Sequence, residues 1–511
     1  LSQFYHKDVD WINLDYWEAC AEILTNIFSD AITCGILPKQ TIPHQLLRIS
    51  WVSRSWRAVA LGCASLWTHI SGQKPHWLNE SIRRSGQVPL TMDLMIMNST
   101  ITGTAPFLEY IPRIKELRVR MDNRMSWGER KEISLFWRSP APLLEYLEVE
   151  RAALPEDLFS GEAPNLQSVS FRNCQLRLSG TPFSSVKELT IGKNGTADGP
   201  SVASLLSTLR GMPLLTKLQL IDLEEDLESN TNYPSVHLPN LENLHLSEPW
   251  IEVAIELMEH LSYPLNTKIR IEPAEIIDPT EFERLLDSAE RGHNSNNVLD
   301  TIEATSSRRN HICFGYRSPA ASNSPSPEVG GSISLDPPTG SLSDLFRRIS
   351  GHRFQTLSAL TMMQDQMVSV ETWRQVFGPL PHLRKLRLAC SPASKFLLYL
   401  VKYHPHRKSD IQTYDPVGNP LITFPALETL GFDWTSRNYL FDFGFNYRVL
   451  RDVLALRQEL GRGMKRWYVP GVVWNAGVVE MMLPFVENLE VEEYDDYTED
   501  MVIGEDEDEN R

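Results

Sequence analysis

The chain has 511 residues, 42% of them hydrophobic and 23% charged, with a formal net charge of −17. That composition is of the soluble globular class; the length admits several domains or one elongated repeat array, and no run approaches the ~18 apolar residues that a membrane span requires. The charge is uneven, because Val486 to Arg511 holds 13 acidic residues against one Arg, so no basic balance remains to draw nucleic acid or an anionic membrane.

Residues 1–75 are helical in pattern and rich in tryptophan. The opening LSQFYHKDVDWINLDYW mixes charges with aromatics and has no long apolar core, so no signal peptide is expected from it. From Ala19 to Ile32 the spacing predicts a helix, with Ile23, Ile27 and Ala31 on one stripe and Leu24, Phe28 and Ile32 beside it. Between Pro43 and Ile70, Leu46, Ile49, Val52, Trp56 and Val59 recur at intervals of three and four, which predicts an amphipathic helix with Arg48, Arg54 and Arg57 on its other faces. A break at Leu61-Gly62 precedes a second apolar knot, Leu66-Trp67-Thr68-His69-Ile70. Residues 76–110 read as a bridging segment, with Arg84 to Leu90 as its linker and Thr91 to Met97 as a first strand.

From residue 111 the pattern L-x-x-L-x-L recurs. It runs through Ile114-Leu117-Val119, Leu144-Leu147-Val149, Leu166-Val169-Phe171, Val186-Leu189-Ile191, Leu215-Leu218-Leu220 and Leu241-Leu244-Leu246. It resumes at Leu357-Leu360-Met362, Leu383-Leu386-Leu388, Leu427-Leu430-Phe432 and Val486-Leu489-Val491. Leading phrases recur too, as Ala163-Pro164-Asn165-Leu166 and Leu238-Pro239-Asn240-Leu241, and Cys174 and Asn194 fall three residues past the last apolar position. The pattern predicts short strands whose alternate residues point into a shared core, stacked as a curved parallel sheet. The interval between the two runs contains a helix over 279–291 and a strand over 298–304. It also contains a Ser/Pro/Gly-rich stretch, Ser318 to Ser343, read as a flexible insertion over about 315–345. Residues 496–511 form the acidic tail.

Six scattered cysteines without a C-x-x-C pair indicate free thiols in a reducing compartment. No phosphate loop, H-E-x-x-H, G-x-S-x-G or kinase signature occurs, and His404-Pro405-His406 has no further ligand at metal spacing. No enzymatic activity, metal or cofactor is expected. What remains is binding. In each repeat the residues between the inward ones line the open sheet face, among them Arg118, Arg120, Arg172, Lys217, Lys385 and Arg387, a basic set suited to an acidic or phosphorylated target segment. A mixed polar face without such a preference is the plainer alternative.

The stretch S-R-x-W-R-x-x-A followed by Leu66-Trp67, together with Glu22-Ile23-Leu24-x-x-Ile27-Phe28 upstream, resembles an F-box. Ala19-Cys20 stand where that family has Leu-Pro. Arg84-Ser85-Gly86-x-x-Pro89-Leu90 is similar to the bridge that follows the module in fungal F-box proteins. The whole order resembles basidiomycete-type F-box proteins with divergent C-terminal leucine-rich repeats. The resemblance implies an α/β chain, a small helical F-box-like module followed by an irregular leucine-rich-repeat solenoid over 111–495. It further implies an intracellular substrate receptor, cytoplasmic or nuclear, of an SCF-type cullin-RING ubiquitin ligase. Ile23, Leu24, Ile27, Phe28, Val52, Trp56 and Trp67 would build or support the face for a Skp-family adaptor and through it a cullin, and the repeats would hold an unknown protein target. The rival is a non-enzymatic interaction scaffold whose F-box-like helices only cap the repeats.

Overall fold

Leu24 and Phe28 stand one turn apart on helix α1 (Leu14–Thr33). Both turn inward against Leu46 and Ile49 of α2 (Ile42–Ser50), Val59 and Ala60 of α3 (Arg54–Gly62), and Leu66 and Trp67 of the 3₁₀ turn that follows. The computed structural model describes residues 14–33, 42–71, 75–96, 105–122, 137–155, 157–174, 183–192, 201–223, 233, 235–274, 278–292, 298–306, 310–317, 332–335, 342–351, 353–362, 368–389, 396, 399–400, 424–433, 447–470, 480 and 483–492.

The spacing predicts one helix through Leu46 and Val59, but the structure has two. The cause is local. Trp51 and Val52 N–H donate to the Arg48 and Ile49 carbonyls, and the Ser50 hydroxyl donates to the Leu47 carbonyl at 2.6 Å. Ser53, in extended conformation, accepts from Trp56 N–H at 3.1 Å. A serine that caps a new helix competes with continuation of the old one.

Helix α4 (Pro75–Ser85) is fastened to these helices by Arg84, which donates to the Leu61 carbonyl at 2.8 Å and lies 4.8 Å over the Trp67 ring. Glu80 holds Arg84 from behind, accepting from its Nε at 2.6 Å and from Arg83 at 2.7 and 3.0 Å. Those hydrogen bonds, Arg83 first, bring the Glu80 carboxyl down to about 2 from an ordinary 4.5. A carboxyl lowered on folding stabilises the fold above its ordinary value and loses that contribution as pH falls toward the lowered one. The expected NMR titration of Glu80 therefore has its midpoint near 2 in the native chain and well above it after Arg83→Gln with Arg84→Gln. A native midpoint at the ordinary carboxylate value would contradict the clamp.

The chain is mixed α/β, with mostly parallel strands, and divides into two compact units, Leu1–Pro264 and Leu265–Arg511. In the first, β1 (His69–Ser71), β2 (Leu90–Ile96), β3 (Ile114–Met121), β4 (Tyr146–Glu150), β5 (Ser168–Arg172), β6 (Glu188–Gly192), β7 (Lys217–Ile221) and β9 (Asn243–Ser247) pair in parallel, each with the next. The expected strands of the first run are all present, and their registers align the apolar positions, as in Leu117↔Leu147↔Val169↔Leu189↔Leu218↔Leu244. Every member of that row is buried. One strand could not bury its apolar face alone; stacking removes each such side chain from water, worth about 1.5–3 kcal/mol apiece as an upper figure. Beside this sheet lie α5 (Val202–Arg210), α6 (Ile251–His260) and a two-stranded parallel pair, β8 (Val236–His237) with β10 (Leu261–Ser262).

The leading phrases have a mechanical role. Asn165 donates to the Pro142 carbonyl at 2.7 Å and Asn240 to the Pro213 carbonyl at 2.8 Å, so each asparagine ties its turn to the previous one. Arg151, Asn173, Asp222 and Glu248, each the first residue past a strand, have φ between 54° and 62°. This repeated left-handed turn carries no glycine signal, so sequence reading misses it. Cys174 is buried, its thiol directed at the Val149 and Arg172 carbonyls at 3.4 and 3.3 Å, and burial pushes its pKa up to about 12.

The second unit departs from a purely parallel array. Its strand order is β11 (Lys268–Glu272), β14 (Ser332–Leu335), β13 (Asn310–Arg317), β12 (Val298–Ser306), β15 (Ala359–Met362), β16 (Lys385–Ala389), β17 (Thr429–Asp433), β18 (Met464–Pro470), β19 (Val486–Glu492). β12 to β14 form an antiparallel meander, while the rest pair in parallel. β14 and the start of α8 (Leu342–Ile349) lie inside the stretch expected to be one flexible insertion, which corrects that expectation for Ser332–Leu335 and from Leu342 on. The reason is composition within the stretch: Ile333 and Leu335 alternate with serines and bury themselves opposite Phe314 and Ile312. β18 has no L-x-x-L-x-L signature, yet it pairs with β17 on one side and β19 on the other.

Helix α7 (Pro279–Gly292) begins with reciprocal caps: Asp278 accepts from Thr280 and Glu281 N–H, and Glu281 accepts from Asp278 N–H. α9 (Val370–Thr372) runs into a π-turn over Trp373–Phe377, whose Trp373 and Phe377 pack with Phe346, Phe354, Phe396 and Phe424. The last helix, α10, spans Tyr447–Glu459.

The serine–proline pairs of 318–327, Asn194, His404, His406, Trp434 and the acidic tail lie outside the described residues. Among the described residues no helix is long and apolar enough to cross a membrane, no group of three His, Cys, Asp or Glu is placed to hold a metal, and Cys63, Cys174 and Cys313 are free thiols.

Candidate functional site

Two surfaces follow from the sequence reading, one on the N-terminal helices and one on the polar face of the strands.

On the helices, the seven candidate adaptor contacts separate by burial. Phe28 and Trp67 are 1% and 2% exposed and belong to the core. Trp67 donates its indole N–H to the Ala60 carbonyl at 2.8 Å, and Phe28 packs on Trp56 with ring centroids 4.9 Å apart. Neither Phe28 nor Trp67 presents its ring at the surface, so of the two expected roles, building the face or supporting it, burial leaves them only the second. Leu24 and Trp56 sit at the edge of the same core. Ile23 and Ile27, by contrast, are 59% and 49% exposed, one turn apart on the outer side of α1, and Val52 is 63% exposed in the turn between α2 and α3. Trp51 beside it is 69% exposed. Sequence reasoning missed Trp51, because it counted Val52 among the core-facing positions of one continuous helix. The helix break that turns Val52 outward turns Trp51 outward as well. Four large apolar side chains thus stay in water on a small unit whose core is already closed. A scattered exposed apolar residue is ordinary; here four belong to two adjoining elements.

On the strands, the basic set divides between the two units. In the first unit it is largely neutralised. Arg118 reaches Glu116 at 3.4 Å and Glu148 at 3.6 Å, and lies 4.7 Å over the Tyr146 ring. Arg120 reaches Glu150 at 3.8 Å, and Lys217 reaches Glu188 at 2.5 Å. Arg172 stands beside Glu150 in the register of β4 and β5. The cause is the parallel register itself, which sets acidic and basic residues of successive strands side by side about 4.8 Å apart. The expected basic face is here a mixed ladder of charges. Desolvation and the mutual hydrogen bond with Glu148 raise the Tyr146 hydroxyl above its ordinary value.

In the second unit Lys385 and Arg387 are one residue apart on β16, and Arg466 lies two strands away opposite the same row: Lys385↔Thr429↔Arg466. The next row is Arg387↔Gly431↔Tyr468. The strands do bring these candidates together.

Scanned against models of known protein families, the chain matches none, and no curated protein matches it.

Proposed function

We propose that the chain is the target-holding subunit of an SCF-type cullin-RING ubiquitin ligase, with an F-box-like module that docks a Skp-family adaptor and leucine-rich repeats that hold a protein target. One observation carries the reading: Ile23, Ile27, Trp51 and Val52 remain exposed on helices whose own core is complete. The residue pattern quoted above supplies the family resemblance. Stacked parallel strands at the expected L-x-x-L-x-L positions are what a repeat array requires. Such a chain performs no ubiquitin chemistry itself; it raises the effective concentration of target lysines near a conjugating enzyme.

The test is co-purification of the full chain with a Skp-family adaptor. Ile27→Asp and Val52→Asp, both at exposed positions, are expected to weaken adaptor binding at least tenfold while leaving the thermal midpoint of the chain unchanged. A folded wild-type chain that ignores the adaptor would overturn the proposal.

A second reading has its own support. β1 pairs with β2, and α4 packs on the 3₁₀ turn through Arg84, so the helices close the end of the β1–β9 sheet. A scaffold with no ligase role would use them as the cap that an exposed repeat core needs.

A further inference from the structure

We infer that the protein surface which seats on the turn between α2 and α3 carries carboxylates, drawn in by Arg48, Arg54 and Arg57 around Trp51 and Val52. This names the chemistry of the partner at the docking surface proposed above, and rests on that reading only for the adaptor's identity. Three observations carry it.

The first is charge. The interval from Ala31 to Asn79, 49 residues, contains no Asp or Glu, and no other interval of the chain without a carboxylate is as long. It holds five cations, Lys39, Arg48, Arg54, Arg57 and Lys74, in a chain of net charge −17. Arg48, Arg54 and Arg57 are exposed, and none of them makes an ion pair among the described residues. Glu22 and Asp30 of α1 are exposed but pair with none of the three, and Glu80 of α4 is taken up by Arg83 and Arg84.

The second is position. Trp51 N–H donates to the Arg48 carbonyl at 3.1 Å, and Arg57 Nε donates to the Ser50 carbonyl at 3.0 Å, so both arginines are held next to Trp51. Arg54 follows Val52 by two residues. Three cations thus surround two exposed apolar side chains on one short segment.

The third is what these cations do to the fold. Arg48 lies in the last turn of α2, where the helix dipole favours positive charge, and by itself would signal nothing. Arg54 is the first residue of α3, whose first turn has no acidic residue, and there the dipole disfavours a cation. Folding gives no reason for Arg54; a carboxylate on a partner does. Nucleic acid would meet only these few cations on a negatively charged chain. An apolar pair ringed by arginines fits instead a protein surface with an apolar centre and an acidic rim.

The test is the association and dissociation rates of the full chain with a purified Skp-family adaptor, read by biolayer interferometry at 50 and 300 mM salt. Association is expected to slow at least fivefold between the two salts. Arg48→Glu with Arg54→Glu is expected to slow association at least tenfold at 50 mM salt while changing dissociation less than threefold, as rim charges that steer an encounter do. Trp51→Ala is expected to act the other way, on dissociation. Arg210→Glu, at an exposed cation ending α5, changes either rate less than twofold. Arg54→Glu alone is expected to leave the thermal midpoint unchanged or raise it, because an acid suits a helix N-terminus, so slower association is not read as unfolding.

Adaptor association that ignores salt and both charge reversals overturns the inference and leaves the docking role standing. Where the chain ignores the adaptor, the docking role falls and a second probe decides. That probe is a labelled helical peptide with a Leu stripe flanked by Glu, followed by anisotropy beside its Gln counterpart. Preference for the Glu peptide that is lost in Arg48→Glu/Arg54→Glu supports the inference; equal binding by the two peptides overturns it. Capture of single-stranded DNA or phosphatidylserine vesicles in preference to both protein probes also overturns it, and reassigns the turn to phosphate.

Discussion

Trp67→Ala is expected to destabilise the N-terminal helices by about 3–5 kcal/mol, the range for truncating a buried tryptophan. The side chain is one of the largest fully buried in the chain, and three elements meet on it. Its indole N–H donates to the Ala60 carbonyl, so truncation orphans a buried acceptor in α3 as well as opening a cavity. Its ring also carries Arg84, through which α4 is tied down. Urea unfolding followed together with hydrogen exchange over 54–62 and 75–85 would read the loss, and protection should fall in both helices. Trp67→Phe, which keeps most of the apolar area but not the hydrogen bond, should recover more than half of it. A Trp67→Ala chain with native protection in α3 would remove Trp67 from the role of keystone. Under the proposed function this variant should also lose the adaptor, but through unfolding, and only Ile27→Asp and Val52→Asp separate the proposed docking surface from its support.

The second large effect is expected from Arg457→Leu in the other unit. Arg457 is 4% exposed and donates to the Phe424 and Leu427 carbonyls at 2.8 and 2.7 Å, which are the two ends of the turn that leads into β17. Burial, with the neighbouring charge of Arg462 added, lowers its pKa to about 10, so it remains a cation at neutral pH. Leucine would fill much of the space but leave the Leu427 carbonyl unpaired and the Phe424 carbonyl with the Leu427 N–H as its remaining donor, at a cost of about 1–3 kcal/mol. Arg462 supplies the control: it donates to the Pro425 carbonyl of the same turn at 2.7 Å but is exposed. Arg462→Leu should therefore cost under about 1 kcal/mol, because water replaces the lost donor. Equal midpoints for the two variants in urea would mean that burial does not decide the cost.

Much of the strand array was legible because its signal is local and repeated. An L-x-x-L-x-L segment states which residues point inward, and parallel pairing of successive copies needs no information beyond their likeness. That is how β3 to β7, β9, β15, β16, β17 and β19 could be read from residues alone. β18 could not be, because Met464 and Trp467 satisfy the same inward demand through residue types that the pattern does not include. Of the antiparallel meander only β12 was expected, as the strand over 298–304; β13 follows it after three residues without an L-x-x-L-x-L signature, and Ser/Pro/Gly content masked the alternating Ile333 and Leu335 of β14.

Helical spacing picked out Ile23, Leu24, Ile27, Phe28, Val52 and Trp56 among the apolar residues of the N-terminal helices, and the family resemblance added Trp67. Which of them face the core and which face water was decided only by tertiary structure. Ser53 capping breaks a periodic run and rotates Trp51 and Val52 outward, and the packing of three helices around Trp67 leaves room for Phe28 but not for Ile23 or Ile27. The same division holds for the basic residues of the sheet. Composition alone placed cations at Arg118, Arg120, Arg172, Lys217, Lys385 and Arg387; the register of neighbouring strands decided that carboxylates stand beside Arg118, Arg120 and Lys217, while Lys385 faces Thr429. Charge is a property of one residue, but a field is a property of those beside it, and pairing between strands chooses the neighbours.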